Sequence, residues 1–371
     1  MQFSVKRDVL LKSLTFVQGV VEKKNTLPIL SNVLLILNEG KLKIVATDMD
    51  IVFYDEISDV KVEKEGSTTT SASILYDILR KITNNSSVSF NLSNDNKLSI
   101  KADNADFNLL CLAPDNFPSF PEEFSSDIIS INRDQFLSLL NKTRISISND
   151  DTRHYLNGIF LHLTEGHGRN FLTGVATDSH RLSSSSLEID SNTNFESIIL
   201  PKKTIYQLIS LLEQNESSVK ISNNKSKIKF QLDKGILVSK VIDGRFPDYS
   251  KVVPRNNDKV LEVKLSEFKN SIERVSTVSS DRKEGLKMLI SKESLQFSVN
   301  SPNSGEGVEN VKAKFNSSDM SISFNSRYLI DIASQIENND VVINLKDPGS
   351  PVIIRDLSDK NSFHVVMPMK I

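Results

Sequence analysis

The chain has 371 residues, of which 38% are hydrophobic, and a formal net charge of −2. This length allows two or three domains, the modest apolar fraction favours several small cores, and the near-neutral charge excludes a protein coated in positive charge for nucleic acid. The single cysteine, Cys111, excludes an intrachain disulfide and a cysteine metal cluster, and the absence of a long apolar run or a signal-type N-terminus leads us to expect a cytosolic protein without a membrane segment.

Three stretches begin with a short strand that leads into an amphipathic helix. They cover residues 5–11, 131–137 and 263–268, and apolar side chains follow at helical spacing, as at Leu10, Leu14 and Val17. A short polar side chain lies near each predicted start and can accept hydrogen bonds from free backbone donors. These residues are Asp8, Asp134 and Ser266. The pattern indicates a repeated unit.

A hairpin follows each of these helices. Residues 32–37 match residues 157–163, and the motif Val-Ala-Thr-Asp at residues 45–48 returns 130 residues later at residues 175–178. The second copy has a longer hairpin tip, where insertions cost little free energy. A third hairpin, at residues 286–290 and 295–299, lacks the Thr-Asp that ends the other two. A repeat this long is the size of a small domain.

The rest of each unit repeats as well. Second helices are predicted at residues 73–82, 202–212 and 326–336, each between a strand and a strand pair. Connectors that contain Phe-Pro close the first two copies, and the third ends without one. We therefore predict three α+β domains of two layers, with boundaries 1–125, 126–249 and 250–371.

The chain offers little enzyme chemistry. It has no phosphate loop, and the pair Gly305 and Gly307 lacks the third glycine of a dinucleotide site. His162 and His167 lack a third ligand, so an exposed hairpin tip explains them better than a metal site. Asp178, Ser179 and His180 offer a carboxylate, a hydroxyl and an imidazole that could serve a hydrolase. Ser179 and His180 are neighbours, however, and would face opposite sides of a continuing strand, and an aspartate that ends a strand is typical of a turn.

Basic residues cluster on the predicted helices of the first two repeats. In the first they include Arg7, Lys12, Lys23, Lys24, Arg80 and Lys81, and in the second Arg133, Lys142, Arg144, Arg153, Lys202 and Lys203. Such faces are usually only solvated. If the repeats align their helices on one side, the same residues form a continuous basic surface that suits phosphate contact without base reading.

Several motifs, in order along the whole chain, resemble those of the bacterial DNA polymerase III beta subunits, the sliding clamps. They are residues 26–30, 155–158, 176–178 with 180–182, 243–249 and 365–369. The resemblance implies a head-to-tail homodimer, a ring with helices lining the hole and sheets outside, which encircles duplex DNA of any sequence. A repeated heterologous contact must indeed close into a ring or grow as a filament.

The resemblance also implies three sets of site residues. For DNA contact they are Lys24, Ser73, Arg80, Asp150, Arg153, His154, Tyr155, Lys202 and Lys203, of which Lys24, Ser73, Asp150 and His154 depart from the family pattern. For a partner-peptide cleft they are Leu156, Thr177, Ser179, His180, Arg181, Leu182, Pro247, Lys251, Val252, Asn325, Tyr328, Pro351, Val365, Met367, Pro368 and Met369, where Ser179 replaces a usual glycine. For the dimer seam they are Phe107, Leu109, Thr277, Val278, Glu306 and Glu309, with apolar burial expected to outweigh ion pairs.

The expected function is that of a non-catalytic processivity factor. Its partners would be DNA, a second copy, the DNA polymerase III alpha subunit, the clamp loader, and other polymerases and repair proteins that carry short peptide motifs. We expect no cofactor and no metal, and a location in the bacterial cytoplasm at the nucleoid. The alternatives are a hydrolase that uses Asp178 and His180, and a scaffold that binds only proteins.

Overall fold

The protein is described by a computed structural model that covers residues 1–22, 27–119, 124, 128–166, 168–190, 194–279 and 285–370. Three successive groups of elements share one order among these residues: a strand, a helix, a hairpin with further strands, a second helix and a last set of strands. The threefold α+β repeat predicted from the sequence is confirmed.

The first repeat contains β1 Gln2–Lys6, α1 Arg7–Val20, β2 Asn32–Asn38, β3 Lys41–Thr47, β4 Ile51–Ile57, β5 Val60–Lys64, β6 Gly66–Ser71, α2 Ala72–Lys81, β7 Ser87–Leu92, β8 Lys97–Ala102 and β9 Ala105–Leu112. The second contains β10 Ile129–Ile131, α3 Arg133–Arg144, β11 Gly158–Gly166, β12 Arg169–Thr177, β13 Arg181–Ile189, β14 Ile198–Pro201, α4 Lys202–Leu212, β15 Val219–Asn223, β16 Lys227–Leu232 and β17 Gly235–Lys240.

The third repeat contains β18 Lys259–Lys264, α5 Leu265–Val275, β19 Gly285–Ile290, β20 Ser294–Ser301, β21 Gly305–Phe315, β22 Met320–Asn325, α6 Ser326–Ala333, β23 Asp340–Leu345, β24 Val352–Asp356 and β25 Ser362–Val366. Short 3-10 turns cover Pro28–Ser31, Pro114–Asn116, Asp151–Leu156, Tyr249–Lys251 and Ser276–Val278. No described helix is long and apolar enough to cross a bilayer.

The chain divides into two compact units, and the second repeat contributes to both. Unit 1 comprises Met1–Leu137, Thr193–Glu196 and Lys203–Val241, and unit 2 comprises Ser138–Asn192, Ser197–Lys202 and Ile242–Ile371. Sequence repeats and compact units therefore do not coincide, and the domain boundaries at 125/126 and 249/250 remain predictions.

Each unit contains one large antiparallel sheet. In unit 1 the strand order is β10-β15-β16-β17-β4-β3-β2-β6-β9-β8-β7-β1-β5, and in unit 2 it is β14-β11-β12-β13-β25-β24-β23-β18-β21-β20-β19-β22. In both sheets, two repeats are joined by pairing of the third hairpin strand of one repeat with the last strand of the next. β17 pairs with β4, placing Val238 opposite Val52, and β25 pairs with β13, placing Val365 opposite Leu182.

Helices pack on one face of each sheet through the apolar positions that the periodicity indicated. Leu10, Leu14 and Val17 of α1 are fully buried. In the third repeat, Phe268 of α5 meets Phe297 of β20 edge-on, with 5.6 Å between ring centroids. Burial of one such side chain stabilises the fold by roughly 1.5–3 kcal/mol, so these contacts hold the helices to the sheets.

Three basic residues that the sequence placed on an exposed helix face are structural instead. Arg7 is 8% exposed and donates to the carbonyl oxygens of Leu79 and Arg80. Arg133 donates to the carbonyls of Leu212 and Glu213, at the end of α4. Lys142 is 5% exposed and pairs with Asp359 at 2.7 Å. Free carbonyls at helix ends need donors, which explains two of the three positions.

A buried chain of hydroxyls ends on a histidine in unit 2. Ser146 Oγ lies 2.7 Å from Ser183 Oγ, which lies 2.7 Å from His364 Nδ1. His364 is 3% exposed, and burial, followed by the positive charges of Lys142 and Arg181, lowers its pKa to about 3. A buried imidazole of this kind stays neutral in the folded protein.

This burial predicts a loss of stability in mild acid. The unfolded chain binds a proton at His364 below its ordinary pKa of 6.5 and the folded protein does not, so the stabilisation is complete above pH 6.5 and declines toward pH 3. His364 alone should make the free energy of unfolding fall by about 1 kcal/mol per pH unit across that window. In urea unfolding at a series of pH values, His364→Gln should flatten this slope, whereas His154→Gln, at an exposed residue, should leave it unchanged. Equal slopes for all three proteins would contradict the assignment.

Candidate functional site

A tight turn between β12 and β13 forms the centre of the candidate site. Asp178 Oδ1 accepts hydrogen bonds from the backbone N–H of His180 at 3.0 Å and of Arg181 at 2.9 Å. Thr177 Oγ1 donates to the carbonyl of Arg181 at 2.7 Å and accepts from the N–H of Ser179 at 3.2 Å. The side chains therefore hold the turn by local bonds to the backbone, as aspartate and threonine commonly do.

Arg181 is fixed from three sides. Its Nε donates to Asp178 Oδ2 at 3.0 Å and its Nη1 to Asp331 Oδ2 at 2.7 Å. The guanidinium carbon lies 4.3 Å from the ring centroid of Tyr328, a cation–π distance. The Arg181 side chain is only 9% exposed, so its position is fixed by these contacts.

Beside this turn lies a cavity of about 210 Å³ whose lining is mostly apolar. The lining residues are Thr177, Ser179, His180, Arg181, Leu182, Pro247, Asp248, Tyr249, Val252, Val365 and Met367. Val252 and Met367 are 49% and 42% exposed, which is unusual for such side chains. Beneath it lies a cluster formed by Leu156, Val175, Leu182, Ile199, Phe246, Ile353 and Val365. An open apolar cavity on a packed base suits capture of a large apolar side chain.

The structure brings together most of the cleft residues predicted from the sequence. Nine of them line the cavity, and Leu156 lies in the cluster beneath it. The other predicted residues do not line it: Lys251 is 79% exposed and pairs with Asp248, Asn325 caps α6, Tyr328 packs on Arg181, and Pro351, Pro368 and Met369 lie elsewhere in unit 2. Asp248 and Tyr249 were missed, although they belong to the connector motif at residues 243–249.

A row of aromatic side chains supports Tyr249. Phe246 stacks on Phe160 with 4.9 Å between centroids, and Phe160 stacks on His162 at 4.4 Å. His162 Nε2 lies 3.0 Å from the Tyr249 hydroxyl, and burial lowers the pKa of His162 to about 4. The prediction of an exposed tip at His162 was wrong, because the ring packs inside this row. His167 lies outside the described residues, among which no group of three possible metal ligands occurs.

The geometry of Asp178 does not suit a hydrolase. Its Oδ1 is used by two backbone N–H groups and its Oδ2 by Arg181, so neither oxygen is directed at His180. A base in a catalytic pair must lie within hydrogen-bond reach of its partner. Asp178 is the turn-forming residue that the repeat indicated.

The predicted DNA-contact residues of unit 2 form one loop with Lys202 near it. Asp150 caps the 3-10 turn Asp151–Leu156 and accepts from Arg153 Nε at 2.9 Å. The hydrogen bond from the Thr152 hydroxyl, and after it the bond from Arg153, lowers the pKa of Asp150. His154 Nε2 lies 3.2 Å from the Asp243 carbonyl, and Lys202 Nζ bonds Asn149. These contacts order the loop before any ligand arrives.

The predicted DNA-contact residues of unit 1 differ in exposure and in the bonds that they already make within the chain. The Arg80 side chain is 57% exposed and lies 3.4 Å from Asp77, one turn away on α2. Ser73 is half-buried at the start of that helix. Lys203 already donates to Asp48, to Glu22 and to the carbonyl of Val20. Its three ammonium hydrogens are thus engaged, and we expect a smaller phosphate contribution from it. Lys24 lies outside the described residues.

The predicted seam residues flank two open strand edges. β9 pairs with β8 along its length but with β6 only at Cys111 and Leu112, so within the described residues the other edge of 105–110 has no partner strand. β21 pairs with β20 at 305–312 and with β18 only at 313–315, which leaves the matching edge open among those residues. Unpaired edges of this kind are templates for another strand.

Each edge carries the side chains that were predicted for the seam. Phe107 is 36% exposed beside a cavity of about 560 Å³ under α2. Leu109 is half-buried, while its neighbour Leu110, which was not predicted for the seam, is 78% exposed. Val278 packs on the core of the third repeat next to Thr277. Glu309 accepts from Ser271 and Arg274 in its own repeat, so it is already paired, while Glu306 is exposed.

Comparison with known proteins gives one consistent result. Models of the DNA polymerase III beta subunit match the chain with the N-terminal domain at residues 1–121, the central domain at 130–248 and the C-terminal domain at 250–370. The beta sliding clamp of Caulobacter vibrioides strain NA1000 is 34% identical over 373 residues, and that of Escherichia coli K12 is 30% identical over 371, each covering 100% of both chains.

Solved structures agree with the sequence matches. A beta sliding clamp from C. crescentus has a TM-score of 0.96 at 34% identity and covers 100% of this chain and 99% of its own. A sliding clamp from Bartonella birtlesii, bound to griselimycin, has a TM-score of 0.96 at 36% identity with full coverage of both chains.

The role of Asp178 in the turn predicts a structural effect of its removal. Asp178→Ala leaves two backbone N–H groups and Arg181 without their acceptor, so the free energy of unfolding in urea should fall by about 2–4 kcal/mol. Asp178→Asn keeps an oxygen for the backbone and should lose about half as much. Asp319→Ala, at an exposed aspartate, is the control and should lie within about 0.5 kcal/mol of the unsubstituted protein. An Asp178→Ala protein of undiminished stability would refute this role.

Proposed function

Because the chain belongs to the family of bacterial DNA polymerase III beta subunits, the beta sliding clamps, we propose that two copies join head to tail around duplex DNA and present the cleft of unit 2 to polymerase peptides. It is a processivity clamp of DNA replication with three domains of the clamp fold. The observation that carries the proposed assembly is the way the repeats are already joined within the chain.

The two internal joins use equivalent strands. β4 of the first repeat pairs with β17, the last strand of the second, and β13 of the second pairs with β25, the last strand of the third. In the third repeat the strand equivalent to β4 and β13 is β21, and in the first repeat the last strand is β9. Both strands have an open edge among the described residues, at 305–312 of β21 and at 105–110 of β9. A third join of the same kind, between β21 of one copy and β9 of the other, completes the series.

The internal joins also predict the register of the seam. Ile51 pairs with Ser239 in the first join. When the hairpin β3-β4 of the first repeat is matched to β20-β21 of the third, Gly305 is equivalent to Ile51. When the hairpin β8-β9 is matched to β16-β17, Leu109 is equivalent to Ser239, because Leu98 pairs with Leu109 as Ile228 pairs with Ser239. The expected pairs are then Gly305 with Leu109, Glu306 with Asn108, Gly307 with Phe107 and Val308 with Asp106.

This register suits an apolar seam. Gly307 has no side chain, and a Cβ there would lie only 3.0 Å from the carbonyl oxygen of Val275. Glycine thus lets β21 lie close to the end of α5, and the Phe107 ring of the partner would lie opposite Gly307, against that backbone and next to Thr277 and Val278. An aromatic ring over a glycine on a neighbouring strand is a known stabilising pair. Across the seam, Glu306 lies opposite Asn108 and Asp106 lies opposite Val308, and Asp106 pairs with Lys101 of its own chain at 3.3 Å. The seam therefore depends on burial more than on ion pairs between copies.

A head-to-tail contact is heterologous, because two different edges meet. Such contacts close into a ring when the rotation allows and otherwise grow as filaments. Closure satisfies both open edges of each copy, which removes the aggregation hazard that two exposed edges would create. For a clamp, closure around the duplex also replaces tight binding, so a few sequence-independent phosphate contacts suffice.

The DNA contacts proposed for this chain come from Arg80, Lys202, Arg153 and Tyr155, with Ser73, His154 and Lys203 at their edges and Lys24 outside the described residues. Asp150 repels phosphate unless Arg153 neutralises it, and their 2.9 Å bond does this. The basic residues are few, and the charge of Arg153 is partly neutralised by Asp150. Weak phosphate contacts of this kind favour sliding over tight binding.

The cleft is proposed to take a short peptide from the polymerase alpha subunit, the clamp loader and other replication and repair proteins. Its volume of about 210 Å³ fits one or two apolar side chains, and Met367 at its rim can change rotamer to fit different peptides. No proposed step needs a catalytic residue, a cofactor or a metal, and the protein is proposed to act in the bacterial cytoplasm. The comparisons do not support the hydrolase or the protein-only scaffold.

The seam predicts a dimer that a single charge can break. Phe107→Asp places a carboxylate in the apolar seam, and because both seams of the ring carry it, sedimentation velocity at micromolar concentration should show a monomer where the unsubstituted protein shows a dimer. The control is Leu357→Asp, at a leucine that is 55% exposed and away from both open edges, which should remain a dimer. A dimeric Phe107→Asp protein would rule out this seam, and long filaments from the unsubstituted protein would rule out closure.

The cleft predicts a ligand-binding loss on truncation. Deletion from Val366 would damage the sheet, because Val366 pairs with Arg181 and Val352, so the deletion should begin at Met367. Griselimycin is proposed to occupy this cleft and should bind at least tenfold more weakly, because the contact with Met367 is lost. A tenfold loss corresponds to about 1.4 kcal/mol of binding free energy. Fluorescence anisotropy with labelled griselimycin measures this, and Lys251→Ala is a matched rim control with little expected effect. Unchanged affinity after the deletion would refute the cleft assignment.

A further inference from the structure

The turn at Ser179 carries a conformation that suits glycine. Ser179 has φ +78°, and its equivalent in the first repeat, Met49, has φ +81°. Both turns are held in the same way, because Asp48 Oδ1 accepts from Asp50 and Ile51 as Asp178 Oδ1 accepts from His180 and Arg181. A side chain at positive φ costs free energy that glycine would not. The two repeats thus pay the same conformational cost with different side chains.

Only the second repeat uses that side chain for a hydrogen bond to an arginine. Ser179 Oγ accepts from Arg153 Nη1 at 2.6 Å. The same guanidinium donates from Nε to Asp150 at 2.9 Å. Arg153 itself has a non-helical backbone, with φ −115° and ψ 56°, inside the 3-10 turn Asp151–Leu156. The arginine is therefore held from two sides by a serine and an aspartate that belong to different turns.

The remaining donors of Arg153 stay open. A guanidinium has five N–H groups, and the bonds to Asp150 and Ser179 use one on Nε and one on Nη1. Nη2 donates to no acceptor among the described residues, and the side chain is 36% exposed. A planar guanidinium held at two corners presents its third corner in a fixed direction, which is the arrangement that favours a phosphate oxygen.

We propose that Ser179, in the wall of the cleft, is a positioning residue for DNA contact, which acts by holding Arg153 in the orientation that meets a phosphate. This inference rests on the proposed DNA contact of residues 150–156. With the bond to Asp150 alone, the guanidinium could rotate about that hydrogen bond and direct its other N–H groups at the same carboxylate. The bond to Ser179 prevents that rotation. Arg153 is therefore ordered before DNA binds, and the entropic cost of ordering it does not weaken the binding.

The arrangement also connects the two proposed surfaces. Ser179 lines the cavity of the cleft, and Leu156, at the end of the Arg153 turn, lies in the cluster beneath that cavity. A peptide group that takes the Ser179 hydroxyl would release Arg153. By linkage, DNA and such a peptide would each lower the affinity of the other by the same factor.

The test is a double-mutant cycle on DNA affinity. The probe is a short, blunt-ended, fluorescein-labelled duplex, titrated with the full-length protein at low ionic strength and followed by anisotropy. Ser179→Gly removes the hydroxyl and the strain together, and it should weaken DNA binding about three- to tenfold. Arg153→Ala should weaken binding at least as much. In the Arg153→Ala background, Ser179→Gly should have no further effect, because the residue acts only through Arg153.

Two variants separate positioning from a general effect on the fold. Ser179→Asn keeps an acceptor oxygen on a residue that tolerates positive φ, so it should restore most of the affinity. Met49→Gly relieves the same strain in the equivalent turn and should leave DNA affinity unchanged. If Ser179→Gly binds DNA as the unsubstituted protein does, or weakens binding equally in both Arg153 backgrounds, the inference is overturned. If Arg153→Ala itself has no effect, the proposed DNA contact of the loop fails instead.

Discussion

The structure depends on one constraint: a strand at the edge of a sheet must find a partner for its backbone N–H and C=O groups. The strands of the second repeat are divided between the two sheets, and neither unit would contain a continuous sheet without the pairing of β4 with β17 or of β13 with β25. The pairs Val52 with Val238 and Leu182 with Val365 add apolar contacts to these ladders. The strand joins thus connect the repeats within the chain, and among the described residues the edges of β9 at 105–110 and of β21 at 305–312 have no partner strand.

The same constraint explains the position of the cleft. The join of β13 to β25 brings the turn at Thr177 and Asp178 beside the last residues of the chain, since Met367 N donates to the His180 carbonyl at 2.9 Å. A connector that contains Pro247 and Tyr249 lines the other side. The cavity is therefore a product of the strand join, and the residues that form it come from segments far apart in the sequence.

Much of this organisation follows from local pattern. Helical spacing of Leu10, Leu14 and Val17 identified α1, and the recurrence of Thr-Asp identified a turn in which the aspartate side chain accepts hydrogen bonds from the backbone N–H groups that follow it. Buried charge could not be predicted in this way. Lys142 and Arg7 look like solvated helix residues in the sequence, and only packing against Asp359 or the carbonyls of Leu79 and Arg80 shows otherwise. The cleft residues were identified by family resemblance, because cavities depend on which strands meet and periodicity carries no such information.

We propose that the seam between copies repeats the strand joins within each copy, and cysteine cross-linking tests the register of that seam directly. In a Cys111→Ser background, Asn108→Cys with Glu306→Cys places the two thiols opposite each other at both seams, so mild oxidation should give a covalent dimer in denaturing electrophoresis, and this dimer should stay on circular duplex DNA and leave it after linearisation. Asp106→Cys with Glu306→Cys, displaced by two residues, should cross-link poorly. Efficient cross-linking of the displaced pair alone, or a ladder of higher oligomers, would contradict the account.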